Sequence, residues 1–161
     1  MTRVLNLVYP ENSDIKYKIS KFPDGQSNIT ITGERHSSTG TSRSEGWEEI
    51  RELDIKYYVE IKSRLNNFQD LELIICATKA LRNLGVKKIH LFTPYFLGSR
   101  SDRLFEEGST NYLKDVVCPI INSLKFDSVT VLDPHSDVLE ACLNNFRKIS
   151  NLELVEWVKK T

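Results

Sequence analysis

Val86-Lys87-Lys88-Ile89-His90-Leu91-Phe92-Thr93-Pro94-Tyr95-Phe96-Leu97-Gly98-Ser99-Arg100-Ser101-Asp102-Arg103 is the stretch that decides the fold. Its first half is rich in β-branched and large apolar residues and is halted by Pro94, so it predicts a strand followed by a loop. The loop carries Arg100, Asp102 and Arg103. A second run, Ser128-Val129-Thr130-Val131-Leu132, ends as abruptly at Asp133-Pro134, and His135 follows. Between the runs, Leu113, Val116, Val117, Ile120, Ile121 and Leu124 keep the spacing of one apolar helix face. Strand, helix and strand make a right-handed crossover with parallel strands, so both following loops open on the same carboxyl edge. Arg100 and His135 are therefore expected to meet. The fold class that follows is α/β, a mostly parallel sheet flanked by helices.

Composition sets the limits on that reading. A chain of 161 residues with 40% hydrophobic content suits a single domain, which buries about 70% of the surface its unfolded form exposes. Its 22 Lys and Arg equal its 22 Asp and Glu. Such a balance gives no broad field for nucleic acid or anionic membrane, and any anion site must be local. Cys76, Cys118 and Cys142 have no CxxC spacing, and Cys76 and Cys142 fall in apolar helical patterns, as reduced structural thiols do. Met1-Thr2-Arg3 leads into a strand-like run with no signal-peptide pattern, and no apolar stretch approaches a membrane span. A soluble, cytoplasmic protein is expected.

Val4 to Val8 and Lys16 to Phe22 read as early strands, Pro23-Asp24-Gly25 as a turn, and Asn28 to Thr32 as the returning strand of a hairpin. From Gly33 to Gly46 the chain is rich in Ser, Thr and Gly, which predicts a flexible loop over about 33–47 containing His36 and Arg43. A strand from Ile55 to Ile61 leads to the candidate cap Asn66-Asn67. Leu71, Ile74, Ile75, Thr78, Leu81 and Leu84 then keep helical spacing up to Gly85. Pro119 inside the next helix predicts a solvent-facing kink, at a cost of about 3 kcal/mol if the helix does not bend. A helix from Ser136 to about Phe146 and a strand near Leu152 to Glu156 are expected to close the domain.

The chemistry of the two loops leaves alternatives open. Arg supplies a fixed charge and a planar fork of donors suited to phosphate oxygens, and Gly98-Ser99 gives its loop freedom to fold over a ligand. Taken alone, Arg, Asp and Arg on a loop are more often a solvated surface with a weak ion pair. Asp133 and His135 have the character of a divalent-ion site, although Mg²⁺ favours carboxylates, waters and phosphates. The bland reading is that Asp133 and Pro134 stop the strand while Ser136 or Asp137 caps the next helix. His90, inside a strand, reads as structural. The P-loop, dinucleotide fingerprint, zinc spacing and Ser nucleophile elbow are all missing.

Thr93 to Arg103 resembles the PYFxYARQDR segment of ribose-phosphate pyrophosphokinases, also called phosphoribosyl pyrophosphate synthetases. Phe22-Pro23-Asp24-Gly25-Gln26 looks like their FxDGE motif, and Asp133-Pro134-His135-Ser136 like their DLHA motif, in the right order. The resemblance covers nearly the whole chain and implies the phosphoribosyltransferase-like α/β fold of the family's N-terminal domain, residues 1–161 forming that single domain. It implies that Arg100 contacts the ATP phosphates, that Ser101 and Asp102 also belong to the ATP-binding residues, that His135 and Asp133 help to hold Mg²⁺, and that Phe22, Asp24 and Gln26 contact adenine across a subunit interface. A homo-oligomer follows if that contact is kept. The implied reaction passes the β,γ-diphosphoryl group of ATP to the C1 hydroxyl of ribose 5-phosphate, releasing AMP.

Gln26 stands where the family has Glu, Ser101 where it has Gln, and Pro134 where it has Leu; the Asp-Pro-His-Ser-Asp version looks most like members carried by large bacteriophages. The family's second domain supplies an acidic pair with a Thr-Gly-Gly-Thr type turn for ribose 5-phosphate, and a catalytic Lys loop. This chain has neither an Asp-Asp nor a Gly-Gly pair. The resemblance therefore implies no catalytic residue here, inactivity without a second domain, and ribose 5-phosphate as a partner only where that domain is supplied. A non-catalytic regulatory or assembly subunit of a full-length synthetase is the alternative.

Overall fold

A computed structural model of the chain describes residues 2–34, 58–135 and 137–159. The predicted loop beyond Glu34, with His36 and Arg43, the first residues of the strand expected from Ile55, and the candidate cap Ser136 lie outside the described residues.

Five strands form one parallel sheet: β1 (Thr2–Asn6), β4 (Tyr58–Lys62), β5 (Ile89–Thr93), β6 (Ser128–Leu132) and β7 (Phe146–Ile149), in that spatial order. Strands β2 (Ile15–Lys21) and β3 (Ser27–Glu34) make a separate antiparallel hairpin. Helix α1 (Phe68–Asn83) joins β4 to β5, a helical segment ending in α2 (Cys118–Ser123) joins β5 to β6, and α3 (Val138–Cys142) joins β6 to β7. The helix α4 (Asn151–Lys159) follows β7. Along β5, Ile89, Leu91 and Thr93 are buried while His90 and Phe92 between them are half-buried, so both faces of the sheet centre are largely covered. His90 is structural: its Nδ1 lies 2.7 Å from the Oγ of Ser128, its partner across the β5–β6 pair.

Local chemistry sets the element ends. Asn6 accepts the N–H groups of Val8 and Tyr9 through its Oδ1, at 3.0 and 2.9 Å, and so stops β1 two residues before the expected Val8. Asn67 caps α1 by accepting from the Asp70 N–H at 2.9 Å. At the other end, Gly85 at φ +88° lets its N–H reach the Arg82 carbonyl and the Val86 N–H reach that of Leu81, the paired bonds of a Schellman close. Leu71, Ile74, Ala77, Thr78 and Leu81 form the buried stripe between these caps.

Three expectations need correction. The segment expected as one helix from Leu113 to Leu124 is α-helical only from Cys118: Tyr112–Val117 is a π-helical turn in which the Cys118 N–H reaches the carbonyl of Leu113, five residues back. Pro119 sits exposed in the first turn of α2, directly after the π-helical turn. Second, the helix expected from Ser136 to Phe146 ends at Cys142, where Leu143 turns extended at φ −100°, and after Asn145 at φ +56° Phe146 starts β7, paired with Val129 of β6. Third, Leu152 to Glu156 is helical rather than a strand. Ser150 and Glu153 form a capping box: the Glu153 carboxylate accepts from the Ser150 N–H at 2.7 Å, and the Ser150 Oγ accepts from the Glu153 N–H at 3.3 Å. The bond from the Ser150 N–H, with a second from its Oγ to the same carboxylate at 3.1 Å, holds the exposed Glu153 carboxyl below its ordinary pKa.

Candidate phosphate-binding cleft at the carboxyl edge

Among the described residues the strands of the parallel sheet step in one direction across it, with no reversal of order of the kind at which a ligand crevice ordinarily opens. The cleft lies instead between the carboxyl ends of adjacent β5 and β6. Tyr95, Phe96, Ser99 and Arg100 line it from the β5 side, and Asp133, Pro134 and His135 from the β6 side. The crossover thus brings Arg100, Asp133 and His135 together as the sequence implies.

Each side is held by its own backbone. Phe96, 1% exposed, anchors the β5 loop in the core, and Thr93 Oγ1 donates to the Tyr95 carbonyl at 2.8 Å. The N–H groups of Ser99 and Ser101 reach back to the carbonyls of Phe96 and Gly98. Gly98 has φ +82°, and a Cβ there would lie 3.1 Å from Tyr112 Cδ1 and 3.4 Å from Leu113 Cα. The expected freedom of Gly98-Ser99 is therefore not found: both residues are buried, and the glycine serves a packed turn that sets the backbone leading into Arg100. On the other side, Asp133 has φ +38°, a left-handed conformation that Asp tolerates better than most residues. Its N–H donates to the Ile149 carbonyl at 2.8 Å. Its Oδ2 accepts from the Asn151 side-chain amide, so α4 orients the carboxylate.

Arg100, Asp133 and His135 are all exposed, and Arg100 has no hydrogen bond or ion pair among the described residues. A guanidinium presented this way is available to an anion. The cleft measures about 160 Å³, below the roughly 300–1,000 Å³ of complete small-molecule pockets. It can take phosphate groups and leaves a bulkier attached group outside. For Mg²⁺ the fit is partial. One Asp133 oxygen is engaged by Asn151, and no group of three or more His, Cys, Asp or Glu is placed to hold a metal among the described residues. One free carboxylate oxygen suits a Mg²⁺ that arrives on phosphates and keeps its waters, and does not suit a caged ion.

Ser101 and Asp102 lie beyond the cleft lining; the Ser101 carbonyl accepts the Leu113 N–H, and that of Asp102 accepts the Asn111 amide at 2.8 Å. Phe22, Asp24 and Gln26 are likewise not among its residues. They form the tip of the β2–β3 hairpin, closed by Phe22 N–H to Gln26 carbonyl and Gly25 N–H to Phe22 carbonyl bonds, both 2.9 Å, with Gly25 at φ +96°. Phe22 is 52% exposed. With the Gln26 amide nitrogen turned to face Asp24, it donates to the carboxylate Oδ2 at 2.8 Å, so two of the three residues are tied to each other. Sequence reasoning gave no role to Tyr95, though it lies inside the quoted motif, gave Ser99 only a part in loop freedom, and missed Asn151, whose helix was read as a strand.

No family model matches the chain. Over 121 residues, 75% of its length, the chain is 26% identical to a ribose-phosphate pyrophosphokinase of Saccharolobus solfataricus. The resemblance is to ribose-phosphate pyrophosphokinases. The fold agrees: a phosphoribosylpyrophosphate synthetase from Mycobacterium smegmatis superimposes on 99% of the chain with a TM-score of 0.72 at 11% identity. The chain spans only part of these pyrophosphokinase relatives, matching 35% of the first and 52% of the second. Among the described residues no helix is long and apolar enough to cross a membrane.

Proposed function

We propose that the chain is the ATP- and Mg²⁺-binding half of a ribose-phosphate diphosphokinase, the reaction being transfer of the β,γ-diphosphoryl group of ATP to the C1 hydroxyl of ribose 5-phosphate. The observation that carries this reading is the convergence of Arg100, Asp133 and His135 on one cleft at the carboxyl ends of β5 and β6. Arg100, its backbone set by the turn at Gly98, grips phosphate oxygens through its fork of donors. Asp133, oriented by Asn151, and His135 hold the Mg²⁺ carried by the nucleotide. When bound, that metal neutralises charge on the phosphates. The protein's part is to position the diphosphoryl group and keep charge complementary around it.

Phe22, Asp24 and Gln26 lie on a hairpin tip outside the cleft, which supports an adenine contact made to the cleft of a second copy and therefore a homo-oligomer. Ribose 5-phosphate enters only with a second domain, so the chain binds nucleotide without turning it over. The exposed Phe22 also favours a second reading, a non-catalytic assembly subunit that docks on a full-length synthetase through the same tip.

Calorimetric titration of MgATP into the chain and its Arg100→Ala variant, with light scattering for mass, tests the proposal. A folded parent that binds MgATP and a folded variant at least tenfold weaker are expected. A folded oligomer that takes up no MgATP sinks the nucleotide reading and leaves the assembly subunit.

A further inference from the structure

We propose that a second cleft, at the amino edge of the sheet, is an anion site for a small polyphosphate, separate from the Arg100 cleft. It is about 590 Å³ and is lined by Lys79, Arg82, Lys87, Ser123, Lys125 and Asp127 among others, a size within the range of small-molecule pockets. Lys87 precedes β5, and Lys125 and Asp127 precede β6, whereas Arg100 and His135 follow those strands. The two clefts are thus at opposite ends of the same strand pair, roughly 15–20 Å apart for strands of this length.

Positive charge is concentrated in this cleft. The chain's formal charge is zero, yet four cationic side chains gather here around one carboxylate. That carboxylate is partly spent, since Asp127 Oδ2 accepts the Ile89 N–H at 2.9 Å. Lys79, Lys87 and Lys125 are exposed and make no ion pair among the described residues.

Arg82 Nη1 donates to the carbonyls of Val86, at 3.1 Å, and Lys87, and its Nη2 donates to that of Lys125 at 3.0 Å. One guanidinium therefore ties the end of α1 to the turn before β6 and gives the cleft a cation whose position is already fixed. Lys125 occupies φ +53° just past α2, a position where glycine is usual. The ends of α1 and α2 favour nearby positive charge, and Arg82 supplies it while bonding carbonyls of the two turns that follow these helices. The lysines add charge beyond it. Ammonium groups act as point charges for phosphate, and several of them around one opening match a ligand with several phosphate groups better than a single monoanion.

The test uses inorganic triphosphate without metal, titrated calorimetrically at low salt into the full chain carrying Arg100→Ala, so that the other cleft lacks its phosphate fork. Binding is expected, and adding Lys87→Gln and Lys125→Gln should weaken it at least tenfold. Lys79→Gln alone should weaken it severalfold. Lys88→Gln removes an exposed charge next in sequence but outside the cleft, and should change affinity by less than threefold. Circular dichroism establishes that each variant is folded. The proposal is overturned if the folded Arg100→Ala chain takes up no triphosphate, if the cleft lysines can be neutralised without loss, or if Lys88→Gln costs as much as Lys87→Gln.

Discussion

Asn151, at the start of α4, donates its side-chain amide to the carboxylate of Asp133, the residue that follows β6. The bond links the last helix to the cleft across eighteen positions of sequence. It leaves Asp133 one oxygen for a cation and fixes where that oxygen points. Asn151→Ala should therefore cost about 1 kcal/mol in urea unfolding, the usual worth of such a bond, and change MgATP affinity by no more than severalfold. Asp133→Ala removes the carboxylate and should weaken MgATP at least tenfold while leaving metal-free nucleotide less affected. Equal losses with and without metal would place Asp133 outside the cation's reach.

Gly98 makes a stability prediction independent of any ligand. At φ +82°, with Tyr112 Cδ1 3.1 Å from the site of a Cβ, alanine meets both backbone strain and a crowded neighbour. Gly98→Ala should destabilise the fold by about 1–3 kcal/mol in urea denaturation. Because the turn sets the backbone leading into Arg100, the same variant should weaken MgATP binding. A variant as stable as the parent would mean that the turn is looser than its packing indicates.

Cys118 sets a pH dependence. Burial pushes its thiol up from 9.0 to about 12, with the nearby Cys142 adding to the effect through its charge and a hydrogen bond. The folded state thus holds this proton more tightly than the unfolded state. The stability contributed is fully present below pH 9 and is lost as pH rises toward 12. Urea midpoints between pH 8 and pH 11 should fall more steeply for the parent than for Cys118→Ala. Parallel curves would contradict the shift.

The central strands and the cleft were legible because their signals are local and strong. The runs ending at Thr93 and Leu132 are β-branched, bounded by proline or aspartate, and separated by a helix-period segment, so parallel pairing and the meeting of Arg100 with His135 followed from topology. The C-terminal part was misread for identifiable reasons. Phe146–Ile149 pairs along one side only and lacks the apolar pattern of a central strand. The spacing of Ser150 and Glu153 is a helix-start signature that the apolar character of Leu152, Leu154 and Val155 obscured. Asn151 was invisible as a site residue because its role depends on a tertiary contact with Asp133. The π-helical turn at Tyr112–Val117 has no sequence pattern distinct from that of an α-helix, and its bond register is one that spacing alone does not suggest.

Whether Arg100 and His135 act on the same bound phosphates is measured directly by a double-mutant cycle. MgATP affinity is determined by calorimetry for the parent, Arg100→Ala, His135→Ala and the double variant, each shown to be folded. Two residues serving one ligand group in one cleft should couple by at least about 0.5 kcal/mol, so that the double variant loses less than the sum of the single losses. Strictly additive losses, or single variants that bind MgATP as the parent does, would contradict a shared phosphate site at the carboxyl edge.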